Sequence, residues 1–161
     1  IMKMIAEELQ PSIESSADQA DIFYGLFDRR SFELSFCKVG NISSMMHDYA
    51  SGELRLLQSK AGPMSKSSAT QFETQVVALN PRDKLIFCTK GIAESKNLDG
   101  QEFGPDRLFK SVLEYASRGV HELRNQIFYQ VHKFTNGQEP QADLTAVVAE
   151  VKDRVIKLAK K

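Results

Sequence analysis

The order of the predicted secondary-structure elements constrains the fold more than any other feature of the sequence. Apolar runs of strand character, separated by turn residues, fill most of residues 22–89. Two amphipathic helices are then predicted over residues 105–116 and 120–134, and a last strand over residues 144–151. Consecutive strands followed by consecutive helices are typical of an α+β domain with antiparallel pairing, whereas a parallel sheet needs strands and helices in alternation.

The first six strands are predicted as two hairpins and two longer runs. Their ranges are 22–28, 32–39, 44–49, 54–58, 71–79 and 84–89. Arg29–Ser31 joins the first hairpin, and Ser51–Gly52 joins the second. Lys84–Thr89 is the most uniformly apolar run, which predicts a position in the middle of a sheet. Before the strands, Met2–Asp18 is predicted as a helix that Pro11 kinks or ends.

The composition indicates a single globular domain without an obvious charged partner. The 161 residues include 21 Lys plus Arg and 21 Asp plus Glu, so neither nucleic acid nor an anionic membrane is expected as a partner. There is no signal-peptide pattern and no apolar run near the ~20 residues of a spanning helix, so we expect a cytoplasmic location. Cys37 and Cys88 lie in apolar runs and are predicted to be buried free thiols rather than a disulfide.

Four segments follow one another in the order of one known family. Phe36–Asn41 ends a strand where the family has Ala-Gly-His or Ala-Gly-Asn, and Gly62–Lys66 is similar to Gly-x-Pro-Leu-Gly. Leu79–Ser95, continued by Gly100–Gly104, resembles Leu-x-x-Gly-Asp-x-hydrophobic-x-x-Thr-Asp-Gly-hydrophobic-x-Glu-Ala. Gln141–Val148 resembles Gln-Asp-Asp-x-Thr-x-x-hydrophobic. Together the segments resemble the SpoIIE/RsbU-type PPM (metal-dependent) protein serine/threonine phosphatase domain.

The resemblance implies an α-β-β-α sandwich of mostly antiparallel sheets. We therefore expect an N-terminal helix in residues 1–20, a phosphatase-like domain in residues 21–151 and a basic tail in residues 152–161. The first residue is Ile1 rather than Met, and no segment matches the start of the family domain. We accordingly expect the domain to be incomplete at its N-terminus.

The resemblance also implies a pair of Mn²⁺ or Mg²⁺ ions, held by aspartates from three places in the family domain. Here Lys90, followed by Gly91, replaces the aspartate of Thr-Asp-Gly, and Ala142 replaces the first aspartate of Asp-Asp-x-Thr. The third place, an early Gly-Asp segment, is not found. Asp143 is the only retained candidate ligand. Because hard cations need several carboxylates, no metal and no catalysis are expected; an active form would use Mn²⁺ or Mg²⁺.

Other polar residues lie near these motifs and offer possible replacements for the lost ligands. The acidic side chains are Asp83, Glu94, Asp99, Glu102 and Asp106, and they are predicted to lie in a solvated polar loop over residues 90–104 and its flanks. Lys90 and Asp143 are hypothesised to form an ion pair. The histidines, His47, His121 and His132, are too scattered to share a metal ion.

Three functions remain open from the sequence. The favoured hypothesis is a catalytically inactive, regulatory protein-binding module in bacterial signalling of the sigma-factor, partner-switching type. Its expected partner is a regulatory protein, such as a phosphoprotein of the anti-sigma-factor-antagonist type. The alternative is an active metal-dependent phosphoserine/phosphothreonine phosphatase represented by a fragment. The third is a structural unit that forms a homodimer.

Overall fold

The protein is described by a computed structural model, which covers residues 1–13, 19–58, 61–65 and 72–152. The helices are α1 (Met2–Leu9), α2 (Lys90–Glu94), α3 (Gly104–Tyr115) and α4 (Val120–Phe134). The strands are β1 (Ile22–Asp28), β2 (Glu33–Val39), β3 (Ser43–His47), β4 (Leu54–Leu56), β5 (Gln75–Ala78), β6 (Lys84–Cys88) and β7 (Ala146–Glu150). The expected end of the first helix, the expected start of the strand at residue 71 and the tail from residue 153 lie outside the described residues.

The chain divides into two compact units. The N-terminal unit consists of the described parts of residues 1–42 and 57–78, and the C-terminal unit of residues 43–56 and the described part of 79–161. In the N-terminal unit, β2 lies between β1 and β5, and both pairings are antiparallel. Its core is formed by Met2, Ile13, Cys37, Val39 and Met64.

The β1–β2 hairpin is confirmed, and its turn shows why the chain reverses there. Asp28 Oδ1 accepts hydrogen bonds from the backbone N–H groups of Arg30, at 2.7 Å, and Ser31, at 3.4 Å. Phe32 then takes a φ of 58° and is 5% exposed. The short aspartate side chain thus replaces backbone partners within the turn, as is typical of Asp in turns.

The C-terminal unit has a sheet with the order β4-β3-β6-β7, in which every pairing is antiparallel. The predicted central position of the Lys84–Thr89 run is confirmed, since β6 lies between β3 and β7. One face of the sheet packs on α3 and α4. The core on that face contains Met45, Ile86, Cys88, Ile92, Phe103, Leu108, Val112, Leu123, Ile127 and Val131.

Several local predictions needed correction, although the α+β class with antiparallel sheets is confirmed. The predicted loop after Thr89 begins instead with the short helix α2, whose Ile92 is fully buried. The first helix ends at Leu9 and continues as a 3₁₀ turn over Gln10–Ser12, because Pro11 cannot donate the next helical hydrogen bond.

Both cysteines are buried and free, as predicted. No helix in the described ranges is long and apolar enough to cross a membrane.

Candidate functional site

Thr89 and Thr145 join the two sequence motifs that carry the metal positions in the family. The Thr89 N–H donates to the carbonyl of Thr145 at 3.0 Å, and the Thr145 N–H donates to Thr89 Oγ1 at 3.0 Å. Thr89 Oγ1 in turn donates to the carbonyl of Asp143 at 3.2 Å. We call this set of bonds the threonine latch. It places Gly91, which follows Lys90, directly beside Ala142 and Asp143.

Gly91 lies so close to the second motif that no side chain fits at this position. A Cβ atom on Gly91 would stand 2.6 Å from the carbonyl oxygen of Asp143 and 3.3 Å from the Cβ of Ala142. Gly91 is buried, and its own carbonyl accepts a 2.8 Å hydrogen bond from Ser95 Oγ. The backbone of the site is therefore tightly packed, because only glycine permits this approach.

Lys90, Ala142 and Asp143 are all exposed to solvent. The hypothesised ion pair between Lys90 and Asp143 is wrong: ion pairs among the described residues involve Lys3, Arg55, Lys84 and Lys152, but not Lys90. Both charged groups remain hydrated, and an exposed pair would contribute at most about 1 kcal/mol to stability. Lys90 thus presents an exposed ammonium group, and Asp143 an exposed carboxylate.

The sequence profile of the stage II sporulation protein E (SpoIIE) family matches residues 1–152. The chain belongs to the SpoIIE family. A comparison with curated proteins finds no match. The family assignment confirms the resemblance of the four segments.

Solved structures of related domains have the same fold. The SpoIIE phosphatase domain of Bacillus subtilis matches with a TM-score of 0.67 and 17% identity over 97% of this chain and 69% of that one. The SiaA-PP2C domain of Pseudomonas aeruginosa matches with a TM-score of 0.73 and 20% identity over 92% of this chain and 59% of that one. The RsbU and RsbW domains of Rv1364c from Mycobacterium tuberculosis match with a TM-score of 0.75 and 19% identity over 94% of this chain and 41% of that one. This chain therefore spans only part of each relative and is a partial phosphatase-type domain.

The SpoIIE-family site of this chain does not fit a divalent metal pair. The Bacillus subtilis domain has also been solved from manganese-presoaked material. Here Lys90 contributes an ammonium group and Ala142 a methyl group, neither of which can coordinate a cation at neutral pH. Within the described ranges, no three His, Cys, Asp or Glu side chains are grouped so that they could hold a metal ion. Asp143 alone cannot offset the charge of two divalent ions.

Arg82 stands where the SpoIIE-family motif has glycine before aspartate. Its φ of 77° lies in the left-handed region, which costs a non-glycine residue roughly 1–2 kcal/mol. Its guanidinium lies over the ring of Tyr49, with 3.6 Å between the guanidinium carbon and the ring centroid. The turn is therefore strained at Arg82 and partly compensated by a cation–π contact.

Asp83 is fully buried, so the prediction that it lies in a solvated loop is wrong. Its Oδ1 accepts the N–H of Tyr49 at 2.9 Å, and its Oδ2 accepts the N–H of Asn80 at 2.7 Å. The bond to Asn80 is typical of aspartate in a turn, and the bond to Tyr49 also connects the turn to the β3–β4 hairpin. The remaining acids of that cluster are exposed as predicted: Glu94, Asp99, Glu102 and Asp106.

Three polar side chains that the sequence motifs do not single out as a group form a row across the sheet. Register pairs His47 with Lys84, and Lys84 with Glu150. The Lys84 side chain is 2% exposed, and its Nζ lies 3.5 Å from Glu150 Oε2. A hydrogen bond from Lys152, assisted by Lys84, holds the pKa of Glu150 below its usual value. A lysine at the head of an otherwise apolar strand is the sequence signal for such a row.

His47 is the least satisfied member of the row. It is 5% exposed, and its Nδ1 has no hydrogen-bond partner in the described part of the chain. Burial lowers the pKa of His47, and the nearby Lys84 charge lowers it further, while Asp83 and Asp48 oppose the shift. The imidazole is accordingly held neutral. His121 and His132 are both exposed and are not part of this row.

Proposed function

We propose that this SpoIIE-family domain is catalytically inactive and acts as a regulatory protein-binding module in bacterial partner-switching signalling. The observation that carries the proposal is the pair Lys90 and Ala142 at two metal-ligand positions of the family motifs. The proposed partner is a regulatory protein such as a phosphoprotein of the anti-sigma-factor-antagonist type. The proposed location is the cytoplasm.

The contrast between the backbone and the side chains of the site supports binding without turnover. The threonine latch and the close approach of Gly91 keep the two motif segments together. The side chains needed to bind two cations are replaced, and a lysine ammonium repels a divalent ion. A site with this arrangement retains a defined surface for a partner but has no means of generating a metal-bound hydroxide.

The direct test is hydrolysis of p-nitrophenyl phosphate in the presence of millimolar Mn²⁺. We expect the chain and a Lys90→Ala control to release nitrophenolate at the same rate, equal to the rate without protein. Mn²⁺-dependent release by the unaltered chain, clearly above that of the Lys90→Ala control, would contradict the proposal. The same preparation should still bind its partner, measured by calorimetry with a phosphorylated antagonist protein.

An active phosphatase is the second candidate, because this chain spans only 69% and 59% of two related domains. In that case the missing metal-coordinating residues would come from outside this sequence. Lys90 and Ala142 would still be unsuited to a metal. Calorimetric Mn²⁺ titration of a longer chain that contains these residues separates the candidates, since only an active phosphatase binds the ion tightly.

We also propose that the N-terminal unit contributes to a homodimer. Leu26, Ser35 and Val76 form one cross-strand row of its sheet, and Leu26 and Val76 are 59% and 60% exposed. Exposed apolar side chains on one sheet face favour association. Sedimentation at micromolar concentration should show a dimer that a Leu26→Lys/Val76→Lys variant converts to monomer; a monomer for the unaltered chain would contradict this.

A further inference from the structure

A cavity of about 470 Å³ lies within the C-terminal unit, next to the motif residues but not lined by Lys90 or Asp143. Its walls come from the loop at residues 95–100, the second half of α4 and residues 135–144. Val131 is 3% exposed. The apolar part of the lining consists of Leu98, Phe128, Val131, Pro140 and Leu144. The volume falls within the roughly 300–1,000 Å³ that is usual for ligand pockets.

Hydrogen bonds fix two of the walls. In the loop, Asn97 Oδ1 accepts the N–H groups of Asp99, at 3.1 Å, and Gln101, at 2.8 Å. At the end of α4, the carbonyl of His132 accepts the N–H of Gly137 at 3.0 Å and the hydroxyl of Thr135 at 3.2 Å. The cavity is therefore preformed, which lowers the entropic cost of ligand binding.

The polar groups of the lining match a peptide backbone rather than an anion. Gln138 and Gln141 are exposed, and each amide has both donors and an acceptor, the same combination that a peptide unit presents. Lys96 and Glu139 contribute one charge of each sign, so their net charge is zero. Lys96 and Glu139 thus offer a phosphate group no excess of positive charge, and the lining's other titratable side chain is His132.

The cavity also adjoins the two motif segments. Ser95 in the wall donates to the carbonyl of Gly91, and Leu144 directly follows Asp143. We propose that the cavity binds an extended segment of the partner protein, with one leucine-sized side chain against Val131 and the backbone amides paired with Gln138 and Gln141. This inference rests on the proposed role as a protein-binding module and assigns the place where the partner is held.

The test uses N-acetyl-leucine N-methylamide as the probe and the ¹⁵N-labelled chain. Amide chemical shifts should change saturably, and only at residues 95–100 and 128–144. N-acetyl-glycine N-methylamide, which lacks the side chain, should bind at least about tenfold more weakly, since burial of a leucine-sized side chain supplies that difference. Equal binding of the two probes, shifts elsewhere, or no saturable shift at the solubility limit would overturn the inference.

A matched pair of variants tests backbone recognition. Gln138→Ala/Gln141→Ala should weaken probe binding about tenfold, because two hydrogen-bonding amides are lost. Gln58→Ala, also at an exposed glutamine, should leave it unchanged. If 4-methylpentanamide, which has the side chain but only one amide, binds as tightly as the probe, the assigned backbone pairing is wrong. These binding results do not depend on hydrolysis. Phosphatase activity would therefore contradict the proposed inactivity, whereas the cavity assignment is decided by the probe-binding measurements alone.

Discussion

Arg82 has a backbone conformation that ordinarily selects glycine, with a φ of 77°, and its side chain lies over Tyr49. Replacement by alanine removes the cation–π contact and keeps the strain, whereas replacement by glycine removes both. We therefore expect Arg82→Gly to be more stable than Arg82→Ala by about 1 kcal/mol, and Arg82→Ala to be less stable than the unaltered chain. Urea unfolding measures both differences. An alanine variant as stable as the glycine variant would show that the turn is unstrained.

At Gly91 the choice of residue is limited by the space available for a side chain. A methyl group would stand 2.6 Å from the carbonyl oxygen of Asp143, so one backbone segment must move. We expect Gly91→Ala to lower the free energy of unfolding by about 1–3 kcal/mol, the usual range for overpacking. Gly62→Ala is the matched control, because nothing lies within 4 Å of the position that its added methyl group would occupy. Similar losses of stability in both variants would count against close packing at the motif.

At the scale of elements, the strand ends of β6 and β7 bring two motif segments into one place. If the threonine latch sets their geometry, the replaced ligands should be restorable. We expect Lys90→Asp/Ala142→Asp to gain Mn²⁺ binding that is measurable by calorimetry, since Asp143 then has two carboxylate neighbours. Ala142→Asp alone keeps the lysine charge and should bind much more weakly. No binding by the double variant would mean that the metal geometry is lost along with the side chains.

The same elements show what the sequence can and cannot predict. The uniformly apolar run predicted β6 in mid-sheet, and the amphipathic patterns predicted both long helices, because these features depend on local sequence. The close approach of Gly91 and the hydrogen bond from Thr89 to Asp143 join residues more than fifty positions apart, so no local pattern contains them. Asp83 looked solvated for the same reason: its burial depends on Tyr49, which belongs to a distant hairpin.

At the scale of the whole molecule, the buried row of His47, Lys84 and Glu150 links stability to pH. The pKa of His47 is lowered in the folded chain from its usual 6.5, mainly by burial. Between the two pKa values, the unfolded chain therefore binds a proton at His47 that the folded chain does not bind. The stability contributed by neutral His47 is complete above the unfolded pKa and is lost as the pH falls through about 6.5 toward the lower folded pKa.

We expect the free energy of unfolding to fall between pH 7 and pH 5, with a slope of at most about 1.4 kcal/mol per pH unit for this one proton. His47→Gln should remove the slope, whereas His121→Gln, at an exposed histidine, should keep it. Glu150, whose pKa is also lowered, contributes only at lower pH, because its usual value is 4.5. Urea unfolding at closely spaced pH values separates the two windows. A slope that persists in His47→Gln would assign the proton to another group and show that His47 does not cause the pH dependence of stability.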